Sequence, residues 1–119
     1  MILAVLDDLM FTSKIKSAAT HLGATLVFAR SSDGALAEMR KTTPTLVIFD
    51  LNNPRTNPIG TLAAMKAEAA LASIPTVGFV SHVDTPTIDA ARKAGFDEVL
   101  PRSAFTVRLA EILARDQRP

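Results

Sequence analysis

The chain has 119 residues, 48% of them hydrophobic, with 13 Lys and Arg against 12 Asp and Glu. That length suits one domain with a full core, and the lack of cysteine excludes disulfides, thiolate catalysis and Cys-based zinc sites. Balanced charge, with six Phe and no Tyr or Trp, leaves no general footprint for nucleic acid, and no run approaches membrane-spanning length.

Ile2-Leu3-Ala4-Val5-Leu6 is a short apolar run that ends in Asp7-Asp8 and reads as a first strand. Phe11, Ile15, Ala18, Ala19 and Leu22 recur at helical spacing, and Gly23 is a natural C-cap. Ala24 to Ala29 is the next strand, and Ser31-Ser32-Asp33 can cap a helix that carries Leu36 and Met39. Pro44 ends that connection. Thr45-Leu46-Val47-Ile48-Phe49-Asp50 follows, an apolar run closing on a carboxylate and then on the turn formers Asn52-Asn53-Pro54. It reads as a central strand buried on both faces.

A helix from about Gly60 to Ala72 places Leu62, Met65 and Ala69 on its inner stripe. Pro75 to Val80 is a fourth strand, ending at Ser81-His82. Thr85 as N-cap, with Pro86 at the first helical position, starts a helix that Gly95 closes. Glu98-Val99-Leu100 is a short fifth strand broken by Pro101, and Ser103 caps a last helix with Phe105, Leu109, Ile112 and Leu113 inward.

Strands alternating with helices five times predict an α/β fold, a doubly wound five-stranded parallel sheet of order 2-1-3-4-5. In that order the first and third strands are neighbours, so Asp7, Asp8 and Asp50 meet at the carboxyl edge of the sheet, where open α/β sheets bind ligands. Two like charges about 4 Å apart repel by roughly 4 kcal/mol at an effective dielectric near 20. Three carboxylates therefore call for a cation, a raised pKa, or both. All-oxygen donors suit a hard ion such as Mg²⁺, and a carboxylate beside it can attack phosphorus to make an aspartyl phosphate. Ser81 and Arg102, at the ends of the fourth and fifth strands, can hold the phosphoryl oxygens. Asp7 and Asp8 would also be favourable at a helix N-terminus with no ligand at all.

These residues resemble, over essentially the whole chain, the receiver domain of two-component response regulators, including the chemotaxis-regulator type. Leu6-Asp7-Asp8 is similar to that family's acidic pair. Phe49-Asp50-Leu51-Asn52-Asn53-Pro54 is similar to its phospho-acceptor stretch, Ser81 stands where it keeps Thr or Ser, and Ala94 to Leu100 resembles the approach to its fifth strand. The resemblance implies a flavodoxin-like (βα)5 fold in which Asp50 takes a phosphoryl group from a histidine kinase or phosphotransfer protein. It implies Mg²⁺ on Asp7, Asp8, Asp50 and the Asn52 backbone carbonyl, with Ser81 on the phosphoryl oxygens. A cytoplasmic signalling module acting on a downstream protein target follows, with no nucleic acid or membrane contact of its own.

This sequence departs from the family's pattern at four residues and in one loop, Asp50 to Gly60, which is about two residues longer than usual with Ile59-Gly60 in place of Asp-Gly. Arg102 stands for the fifth-strand Lys, with Ser103 where Pro is usual. Val99 replaces the switch aromatic, and His82 replaces a small residue. The alternative reading is a pseudo-receiver, a protein-interaction module indifferent to phosphate. A flavin carrier is disfavoured because Asp7-Asp8-Leu9-Met10 stands where a phosphate wants Gly, Ser and Thr. The only enzymatic chemistry expected is self-phosphorylation and slow dephosphorylation at Asp50. One receiver-like domain is expected over residues 1–119, with no output domain. Arg92, Lys93, Asp97, Glu98 and Arg108 would form a charged surface, at helix 4, strand 5 and helix 5, for a partner or for a homodimer.

Overall fold

In the computed structural model, which describes residues 1–117, five strands alternate with five α-helices. The strands are β1 (Ile2–Val5), β2 (Leu26–Ala29), β3 (Leu46–Asp50), β4 (Thr76–Val80) and β5 (Glu98–Pro101). The helices are α1 (Leu9–Leu22), α2 (Ser32–Thr42), α3 (Pro58–Ala67), α4 (Thr85–Ala94) and α5 (Arg102–Ala114). All four strand pairs are parallel and the order is β2-β1-β3-β4-β5, as the alternation of elements predicts.

Side-chain alternation along the central strands divides the core into two layers. Ile2, Ala4 and Leu6 of the first run, with Leu46, Ile48, Val77 and Phe79, pack against Ile15 and Ala19 of α1 and Phe105, Leu109, Ile112 and Leu113 of α5. Leu3, Val5, Val47 and Phe49 face the other way, toward Ala35, Leu36 and Met39 of α2, Leu62 and Met65 of α3 and Ala91 of α4. Both layers are dry, and β1, β3 and β4 are buried along their whole length. That is why these strands read as unbroken apolar runs.

The helix ends follow local chemistry, with three differences from the sequence expectation. Gly23 and Gly95 do take left-handed C-cap conformations, at φ 70° and 106°. The third helix starts earlier and stops earlier than Gly60 to Ala72: Asn57 caps it, Pro58 opens it, and Glu68 leaves the helical region at φ −104°, ψ 120°. Ala69 is thus exposed, and Leu71 and Ile74 fill the core beyond the helix end instead. Asp84, not Thr85, caps α4 by accepting the Thr87 amide at 3.2 Å. Ser103 does not cap α5; the strand runs through Pro101, and the helix begins at Arg102 with no side-chain cap bond.

Two side chains tie distant segments together. Asp116 accepts the Met1 amino group at 2.6 Å, the Thr45 hydroxyl at 2.8 Å and the Thr25 amide at 3.3 Å, closing the amino ends of the first three strands. Asp97 accepts the Thr76 amide at 2.8 Å, while its own amide donates to the Thr76 hydroxyl at 3.0 Å. This pins the start of β4 to the entrance of β5.

Candidate functional site

The register places the acids. Val5 pairs with Phe49, so Asp50 ends β3 one position beyond that pair, and the chain after β1 passes Leu6 and delivers Asp7 and Asp8 beside it. Asp7, Asp8, Asp50, Asn52, Asn53, Pro54, Arg55 and Arg102 line one cavity of about 450 Å³ at the carboxyl edge of the sheet. Asp7 and Asp8 from one segment and Asp50 from another thus line the same cavity, as the winding order predicts.

Their carboxylates are engaged in different directions. Asp8 caps α1, accepting the Phe11 amide at 3.0 Å. Asp7 receives the Arg55 guanidinium at 2.5 Å. Asp50 accepts the Asn52 amide at 3.0 Å and faces Arg102 at 3.8 Å. Among the described residues no three His, Cys, Asp or Glu groups are gathered into a ready metal cage. The donor set still fits a hard cation: the carboxylates around the cavity are all oxygen donors, and Mg²⁺ asks for only one or two of them beside water. Arg55 is largely exposed and held by a surface pair, so it can yield Asp7 to an ion.

Asp50 is 4% exposed. Burial raises its pKa above the ordinary carboxylate value; the Asn52 amide and the Arg102 charge oppose that, and Asp8 adds to it. Leu51 covers the neighbouring strand closely, and a Cβ on Gly78 would meet its side chain at 2.6 Å. Glycine at that position of β4 is what lets the segment after Asp50 lie flat on the sheet.

Ser81 follows Val80 at the end of β4, but it opens mainly on an adjoining cavity of about 430 Å³, with Phe11, Lys14, His82, Arg102, Ser103 and Thr106. Arg102 lines both cavities and is the wall between them. Its guanidinium lies 5.1 Å from the Phe11 ring centre and 6.0 Å from that of Phe79. His82 is exposed on the loop after β4, and Val99 is a half-buried residue packed into the α2–α3–α4 layer.

Two participants were missed in the sequence. The Asn52 side chain, not only its backbone, organises the rim: its oxygen accepts the Ser81 amide at 2.7 Å, and its nitrogen donates to Asp84 at 2.8 Å. Arg55 sits on a short 3₁₀ turn, Pro54–Thr56, that Asn53 caps. A cation directly after the Asn52-Asn53-Pro54 turn was a readable hint, though its direction was not. Phe11 packs against the α1–α5 core layer, as its place on the helical stripe predicts, and its ring also stands at the site's edge beside Arg102.

The expected charged surface is largely satisfied within the chain. Glu98 pairs with Arg108 and Arg115, Glu111 pairs with the same two arginines, and Asp97 serves Thr76. Arg92 and Lys93 are exposed. Among the described residues no helix is long and apolar enough to cross a membrane.

No family model matches the sequence, and no curated protein matches it. Solved structures do match the fold. A response regulator from Hahella chejuensis superimposes with a TM-score of 0.84 at 21% identity, covering 95% of this chain and 91% of that one. The chemotaxis response regulator CheY4 of Vibrio cholerae gives 0.81 at 18% identity, over 96% and 95% of the two chains. The Mn²⁺-bound form of the response regulator Rcp1 gives 0.78 at 19% identity, over 95% and 91%. The chain has the fold of response-regulator receiver domains.

Proposed function

We propose that residues 1–119 form one receiver module of a phosphorelay, in which Asp50 accepts a phosphoryl group from a histidine kinase or phosphotransfer protein and a downstream protein reads the result. The observation that carries this reading is the position of Asp50, buried at the carboxyl edge of the sheet in a cavity that two further aspartates and two arginines line. Desolvation makes its carboxylate more basic than an exposed one, hence a better nucleophile once ionised. In the transfer an Asp50 carboxylate oxygen bonds to phosphorus as the P–N bond to the donor imidazole breaks. The electron pair leaves on that nitrogen, which then takes a proton.

Asp7, Asp8, Asp50 and the Asn52 backbone carbonyl would hold a divalent cation, Mg²⁺ in our reading, whose charge offsets that of the phosphoryl oxygens when bound. The response regulator Rcp1, a structural neighbour, is described in a Mn²⁺-bound form, which supports divalent-ion binding by this fold. Arg102, 3.8 Å from Asp50, brings a forked donor to the oxygens, and Ser81 contributes its hydroxyl from the neighbouring cavity. The test is intact-mass analysis after incubation with phosphoramidate and Mg²⁺. Wild type gains one phosphoryl group and Asp50→Asn gains none; no gain in wild type contradicts the reading.

The second reading, a pseudo-receiver that binds a partner regardless of phosphate, draws on one specific observation. Arg55 on Asp7 and Arg102 near Asp50 already balance two of the three acids without a metal. Under it, Asp50→Asn leaves partner binding unchanged. A homodimer through α4, β5 and α5 belongs to the first reading, and multi-angle scattering with and without beryllofluoride tests it.

A further inference from the structure

Three rings form a continuous stack at the edge of the site. Phe11 of α1 lies on Phe79 of β4 with centres 4.9 Å apart and planes 21° from parallel; Phe79 lies on Phe105 of α5 at 4.5 Å and 20°. Phe11 also meets Phe105 directly, at 6.4 Å. Arg102 tops this stack, 5.1 Å from the Phe11 centre, with Lys14 on the same ring at 5.4 Å.

The same guanidinium is drawn two ways. Toward the acid it stops at 3.8 Å, too far for a hydrogen bond. On its other side it rests on aromatic faces. Its Nε is buried with no hydrogen-bond partner among the described residues. An arginine with an unsatisfied buried N–H and a carboxylate just out of reach is not at the bottom of a deep well.

We propose that Arg102 is a positioning residue that couples the charge state of Asp50 to helices α1 and α5 through the Phe11–Phe79–Phe105 stack. More negative charge at Asp50 draws the guanidinium off Phe11, and less lets it settle there. Phe11 then shifts against Phe79 and Phe105, and the contact between α1 and α5 follows. The physiological trigger rests on the phosphoryl reading above; the coupling itself does not.

A double-mutant cycle read by NMR separates the two. Backbone amide and aromatic ring spectra are compared for wild type, Asp50→Asn, Arg102→Met and the double variant; Met keeps the aliphatic packing of the stem. The expected result is that Asp50→Asn moves the Phe11 ring resonances and the amides from Phe11 to Ser17, and that this response is lost when Arg102 is Met. Equal α1 shifts with and without Arg102, or shifts confined to the loops after β3 and β4, overturn the proposal. Beryllofluoride with Mg²⁺ on wild type is the separate arm. A response at Asp50 without movement of Phe11 sinks the coupling and keeps the phosphoryl reading. No response at Asp50, together with a positive cycle, does the reverse.

Discussion

The Asn52 carboxamide oxygen accepts the Ser81 backbone amide at 2.7 Å, which locks the loop after β3 to the loop after β4 across the mouth of the site. The other end of the same side chain donates to Asp84, the cap of α4, at 2.8 Å. One residue thus sets where Asp50, Ser81 and the start of α4 stand relative to one another. Asn52→Ala removes both bonds, and a stability loss of roughly 1–2 kcal/mol in urea unfolding is expected. Hydrogen exchange at the Ser81 amide should accelerate well beyond the global change. Unchanged Ser81 protection would show that the loop holds its place without Asn52.

Burial of the Asp50 carboxylate should make the fold less stable at neutral pH. Its folded-state pKa is raised, chiefly by burial, so the native state binds its proton more tightly than the unfolded chain does. Stability associated with this group is full below the unfolded value of about 3.9 and is lost as pH rises through the folded value. Asp50→Asn escapes that loss. The variant should melt a few degrees above wild type at pH 7, a gain on the order of 1 kcal/mol, and the difference should close as pH falls below about 4. A lower Tm for the variant at pH 7 would mean that Asp50 is better compensated than its surroundings indicate.

Asp116 should behave in the opposite sense. Burial pushes its carboxyl up, but the Met1 amino group, the Thr45 hydroxyl and the Thr25 amide together hold it below the ordinary value. Its contribution is present above the unfolded pKa and is lost as pH falls through the depressed folded value. Asp116→Asn should cost roughly 1–3 kcal/mol at pH 7 and progressively less as pH falls below the unfolded value of about 3.9, read by urea unfolding across that range.

Arg55 competes for Asp7 with any cation in the cavity. Its pair with Asp7 is exposed on the arginine side, so Arg55→Ala should change stability by less than about 1 kcal/mol. Mg²⁺ affinity, followed by calorimetry at low salt, should rise by a few-fold, with the gain shrinking as salt screens the pair. Weaker Mg²⁺ binding in the variant would mean that Arg55 supports the ion site instead of opposing it.

The parts of this account that were legible in the sequence are those set by burial and order. Leu46 to Asp50 and Ile2 to Val5 lie in the middle of the sheet, dry on both faces, so their unbroken apolar runs announce the strands, and the winding order alone brings Asp7, Asp8 and Asp50 to one edge. What was not legible depends on where side chains point. Ser103 and Thr85 are good caps by type, yet neither is used: β5 runs through Pro101 into Arg102 with no side-chain cap, and α4 starts one residue early, so that Thr85 is its first residue and Asp84 its cap. Ala69 fits a helical stripe, but the chain turns at Glu68, where Arg40 reaches the carboxylate from α2. Asn52, Arg55 and Phe11 act through contacts with residues 32, 48 and 68 positions away. No local pattern announces such pairs.

Asp7, Asp8 and Asp50 line one cavity, which we propose takes a divalent ion and then a phosphoryl group. An NMR titration of the chain with Mg²⁺ and then beryllofluoride, on wild type and Asp50→Asn, tests it most directly. Saturable Mg²⁺ shifts at Asp7, Asp8 and Asp50 are expected, followed by beryllofluoride shifts that reach Ser81 and Arg102 in wild type and vanish in the variant. Spectra that ignore Mg²⁺, or a beryllofluoride response that survives Asp50→Asn, would contradict the claim.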